Sequence, residues 1–122
     1  MGYMRHHAII VTGWDDNEVK AARKQAEALF NGRVSKIVPG RANGYTSFFV
    51  PPDGSEEGWE TSNEGDLGRE AFVGYLRSRT YEDGSSRLDW AEVQYGDDDG
   101  QTWIIEDSDA RKRGAAPGGA GR

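Results

Sequence analysis

The chain contains no cysteine. That absence excludes disulfide staples, thiolate metal sites and cysteine nucleophiles, and it suits a reducing compartment. Long apolar runs are missing as well. The one near the start, Ala8 to Val11, is too short for a signal-peptide core or a membrane span. Gly2 follows Met1, but His6 stands where a myristoylation signal needs Ser or Thr. The sequence therefore reads as a cytoplasmic protein that does not engage membranes. Phosphate-binding glycine motifs are lacking too: "NGRVSKIVPGRANG" holds neither G-x-G-x-x-G nor a phosphate-loop lysine. No serine–histidine–acid arrangement has local support. Nothing calls for a cofactor, and the reading is non-enzymatic.

Apolar residues are scarce, at 35%, and mean hydropathy is −0.81. The 122 residues suffice for one domain with a modest core, to which thirteen aromatics contribute large buried areas. Net charge is −6, and the basic tail from Asp107 onward leaves residues 1 to 106 with −8. An acidic body repels phosphate backbones, which disfavours general nucleic-acid binding. It matches a partner protein with a basic surface. Acidity serving only solubility is the plainer account.

Hydrophobic periodicity sets the expected elements. "HAIIVTGW" is apolar on both alternating faces, as in a central strand. Val19, Ala22, Ala26, Leu29 and Phe30 follow helical spacing. Asp15 with Glu18 resembles a capping box, and Asn31-Gly32 supplies the stop. "VSKIVP" predicts a short strand. "YTSFFVPP" predicts a second strand apolar on both faces, ended by Pro51 and Pro52. A second helix is expected from an Asp66 N-cap, packing Phe72, Tyr75 and Leu76. Residues 88 to 107 read as a hairpin turning at "GDDDG".

The order β-α-β-β-α-β-β predicts an α+β domain. It would be a ferredoxin-like β-α-β-β-α-β core in an antiparallel sheet, with an extra C-terminal strand. Both helices would cover one face and leave the other open. The domain is expected over residues 1 to 109, and residues 110 to 122 read as a disordered Gly/Ala/Arg tail.

Three constellations carry functional readings. Residues 53 to 66 hold six acids around a single tryptophan, Trp59. Here Trp59 either folds back on the open sheet face to anchor a long loop, the favoured account, or stands exposed as an interface hot spot. In the protein-binding reading the contact surface is Glu56, Glu57, Trp59, Glu60 and Glu64, with Asp97, Asp98 and Asp99 of the hairpin. In the alternative, Trp59, Trp90 and Trp103 line a small-molecule pocket on the open face or at a subunit interface of a homo-oligomer. Arg69 and Arg77 would supply donors there, with Arg33, Arg41 and Arg87 as further candidates. A third reading takes "YGDDDGQTWIIE" as a metal site for a hydrolase. Tyr95 then occupies the first calcium-ligand position, where a carboxylate belongs, so a polar hairpin turn is the better account and no metal ligands are assigned. His6 and His7 are adjacent, point to opposite faces of a strand, and cannot chelate together.

The strings "NGYTSFFVPPDGSEEGW" and "YEDGSSRLDWAEVQYGDDDG" resemble small proteins encoded by tailed phages and prophages, over most of residues 4 to 109. The resemblance implies a bacterial cytoplasm during infection and no particular chemistry. It implies an accessory protein that binds and modulates a host protein, defence factors included, or one that sequesters a small signal molecule.

Overall fold

The computed structural model describes residues 3 to 110. All but the first residue of the expected tail lies outside them, and that residue, Ala110, is buried. The elements are β1 (Tyr3–Met4), β2 (His6–Gly13), α1 (Asp16–Leu29), β3 (Val38–Pro39), β4 (Thr46–Val50), β5 (Glu56–Glu57), α2 (Glu60–Ser78), β6 (Asp89–Tyr95) and β7 (Trp103–Asp107). The fold is α+β. Its main sheet runs β3-β4-β2-β6-β7, with every neighbouring pair antiparallel.

β2 and β4, the two strands apolar on both faces, are neighbours inside this sheet, with Ile10 opposite Phe49. Pleating sends Ile9, Val11, Phe48, Val50 and Trp90 to the helical side, where all are buried. Val19, Ala22 and Ala26 of α1 and Phe72, Val73 and Leu76 of α2 close the core over them. Phe72 is its centre: its ring meets Phe30 edge-on at 6.0 Å, Phe48 at 6.4 Å and Tyr75 stacked at 6.2 Å.

α1 begins as expected, with Asp15 Oδ1 accepting from Asn17 N–H at 3.0 Å. Glu18 does not complete the capping box. Its carboxylate instead accepts from Arg79 at 2.6 and 3.2 Å, tying α1 to the end of α2. Only Val38–Pro39 of "VSKIVP" forms a strand. Upstream, Ser35 Oγ takes the Phe49 N–H that a ladder carbonyl would accept, so the edge stays irregular.

The second helix starts seven residues earlier than an Asp66 cap implies, at Glu60. Asp66 is therefore inside it, paired with Arg69, and caps nothing. The long acidic loop shrinks to residues 51 to 59 and contains its own short strand, β5, paired with β1. What holds this segment is polar. Asp53 Oδ1 accepts from both the Ser55 N–H, at 2.9 Å, and the Ser55 hydroxyl, at 2.6 Å.

Candidate functional site: a charged cleft between helix and sheet

Two helices packed about 10 Å apart cover only part of a five-stranded sheet. Here α1 lies over β2 and β4 beside α2. The sheet extends past α2 through β6 and β7, and the space left between them is an open cleft of about 580 Å³. One stripe of α2 faces it: Asp66, Arg69, Glu70, Val73 and Arg77, at spacings of three and four that keep them on a single helical face. His7 of β2, Glu92 and Gln94 of β6, and Ile105 and Glu106 of β7 form the opposite wall. Glu57 and Arg5 close one end.

A slip in the β6–β7 register builds the far wall. Glu92 faces Glu106 and Val93 faces Ile104, so Ile105 is the extra residue of a bulge. Ile105 and Glu106 consequently both line the cleft. Glu106 is almost wholly buried and takes a two-pronged ion pair from Arg77, Nε at 2.5 Å and Nη2 at 2.7 Å. That pair bridges α2 to β7 across the cleft. Hydrogen bonding to Glu106 raises the Arg77 pKa, so the guanidinium stays charged.

At the other end His7 Nε2 lies 3.4 Å from Glu57 Oε1, and the Ser62 hydroxyl donates to Glu57 Oε2 at 3.1 Å. Burial lowers the His7 pKa and the Arg69 guanidinium lowers it further, against the opposing pull of Glu57. Neutral His7 leaves three arginines against Glu57, Asp66, Glu70, Glu92 and Glu106. The lining thus carries a net charge of −2.

The residues singled out in the sequence are scattered by this arrangement. Glu57 turns into the cleft. Glu60 and Glu64 stand exposed on α2, and Glu56 is half-buried in β5 opposite Met4. Trp59 does not anchor the loop on the open sheet face: it is the residue before α2 and is 52% exposed. The expectation fails because the α2 start holds its side chain outward while Asp53, Ser55 and the β1–β5 pair fix the loop.

The hairpin acids are committed internally. The Tyr3 hydroxyl donates to Asp97 at 2.5 Å and to Asp99 at 2.8 Å, and Met4 N–H donates to Asp98 at 3.1 Å. The bond to Asp97 pushes the Tyr3 pKa up to about 12, and the same bond holds the Asp97 carboxyl below its ordinary value. Asp97, Asp98 and Asp99 are thus a clasp for the N-terminal segment.

The three tryptophans share no pocket. Trp90 is buried on the helical side of β6. Trp103 is 38% exposed on β7, where its indole N–H reaches the Gln94 side-chain oxygen at 3.2 Å once that amide is turned to accept. Arg69 and Arg77 do come together, in the cleft rather than on the open face. A smaller hollow of about 330 Å³ lies beyond the Arg77–Glu106 bridge, with Trp90, Ser108 and Ala110 in its wall.

Sequence reasoning missed Arg5, His7, Glu70, Glu92 and Glu106 as one site. Glu92 carried the available signal, since alternation puts it on the same face of β6 as buried Trp90, whereas Glu106 reaches that side only through the bulge. Comparison of the chain with protein-family models, curated proteins and solved structures finds no match. Among the described residues no helix is long and apolar enough to cross a membrane, and no group of three or more histidines and acids is set to hold a metal.

Proposed function

We propose that the protein is a non-enzymatic binding module on a ferredoxin-like frame, and that it takes a small, polar, amine-bearing ligand in the cleft between α2 and β6–β7. The observation that carries this reading is the −2 lining of an open cleft whose size falls within the ordinary range of ligand sites, about 300 to 1,000 Å³. The strand order supports the frame, since it sets β2 and β4, the first and third strands of the expected order, side by side within the sheet. Glu70 and Glu92 face the cleft from opposite walls and would receive the ammonium group. Arg5 and Arg69 would accept a carboxylate where the ligand is a zwitterion. An anionic nucleotide meets net repulsion there.

Titration calorimetry with spermidine, arginine and ATP tests this. Spermidine or arginine should bind, and Glu70→Lys, which changes an exposed lining charge, should weaken binding at least tenfold without altering the fold. Preference for ATP, or no binding of either amine, would overturn the reading.

A second reading keeps the protein-partner surface and moves it. Trp59, Asn63 and Leu67 recur at four-residue steps on the outer flank of α2, where Trp59 is 52% and Leu67 68% exposed. Glu60 and Glu64 border them, the hot-spot-and-rim anatomy of an interface. The phage resemblance directs the search to a basic protein of a bacterial host and to its cytoplasm. Trp59→Ala should leave stability within about 0.5 kcal/mol, as for other surface sites. It should weaken capture of such a partner by about 2 kcal/mol or more, measured by surface plasmon resonance.

A further inference from the structure

The sheet face turned away from the helices has no cover among the described residues. Ile10, Phe49, Val93 and Ile104 meet across it: Ile10 lies opposite Phe49 on one side and Ala91 on the other, and Val93 opposite Ile104. Ile10 is 47%, Phe49 42% and Ile104 44% exposed. Thr12 and Ser47 satisfy each other through a 2.8 Å hydroxyl pair, so these polar groups need no outside partner. We propose that this face is covered by a second copy of the same chain, sheet against sheet, in a two-fold dimer.

Charge selects the occupant. The chain carries −6 overall, yet the ionisable groups on this face, His6, Asp89 and Asp107, stand at its ends and far edge. Two acidic molecules can therefore meet here without apposing their acids, whereas a basic partner would find little to pair with. The face is also complementary to itself. His6 lies at the Tyr95 end of β6 and Asp89 at the Thr12 end of β2. A two-fold axis running across the strands sets the His6 end of one copy near the Asp89 end of the other.

Area is adequate. At about 4.8 Å between strands and about 3.3 Å per residue, the face spans on the order of 500 Å². Two copies then cover on the order of 1,000 Å², the lower bound for a specific interface. Strands of up to eight residues supply the length.

Sedimentation equilibrium of the full chain from about 1 to 200 μM tests this, against a chain mass of 13.5 kDa. The expected result is a monomer–dimer equilibrium that Ile10→Thr with Phe49→Thr, both polar strand formers, shifts at least tenfold toward monomer. Glu70→Lys in the cleft should leave it unchanged. Ile10→Cys adds the chain's single cysteine, and mild oxidation should cross-link it into a covalent dimer. Cysteine at Glu60, on the opposite side, should not cross-link. A monomer throughout the range, or equal cross-linking from both positions, would overturn the proposal, and the first result would leave the face to a foreign partner.

Discussion

His7 shows how one side chain reports on the cleft. Its neighbours are the Arg69 guanidinium and the Glu57 carboxylate, and burial holds it neutral with a pKa below the ordinary 6.5. The unfolded chain therefore takes up a proton at a higher pH than the folded one. His7 contributes stability that is present above pH 6.5 and lost as pH falls toward its folded value. His7→Gln removes that linkage. Between pH 7.5 and 5.5 the melting temperature of the natural chain should fall relative to that of the variant, followed by circular dichroism. A constant offset, or a natural chain that gains on the variant as pH falls, would show that His7 is not held neutral. The reading of His6 and His7 as a split pair needed only strand pleating. That His7 faces charges rather than water depends on where α2 begins, which no residue near His7 announces.

Helix α2 holds a sharper contrast, between two glycines. A Cβ on Gly74 would meet nothing within 4 Å, while one on Gly68 would sit 3.0 Å from the Phe30 ring. Gly74→Ala should raise stability by about 0.5 to 1 kcal/mol, the usual helix-interior gain. Gly68→Ala should gain less or destabilise, because Phe30 must shift within the core around Phe72. Urea denaturation of the two variants side by side checks this. These glycines also explain how much of the element was legible. Phe72, Tyr75 and Leu76 announce a packed helix, but Gly65 and Gly68 weaken helix propensity across its first half. Asp66 then looks like a cap, although the turns before it are helical. The β6–β7 hairpin was legible from alternation, whereas its bulge at Ile105 was not, since three consecutive inward or outward assignments read equally well in "WIIED". That bulge places Ile105 and Glu106 together in the cleft, so the site was less legible than the frame that builds it.

Across the molecule, strands neighbouring in the sheet are often distant in the chain. Central β2 pairs with β4 and, through His6↔Tyr95 to Thr12↔Asp89, with β6. Such non-local pairing slows folding, because loop closure must precede the contacts that reward it. It also sets an order on the ribosome. β2 emerges well before β6, and β4 and α1 can dock on it early, yet its other edge has no occupant until residues 89 to 95 follow. In that interval the nascent chain thus carries an unpaired edge on an apolar strand, the kind of template that recruits other chains. Chains stopped at residue 87 should be captured by chaperones or aggregate, whereas chains ending at 110 should not, as read by solubility after arrested translation. If chains stopped at 87 stay soluble and free, β6 is not what protects that edge. With β6 as the protecting strand, a gene for this protein tolerates slow codons after β6 far better than before it.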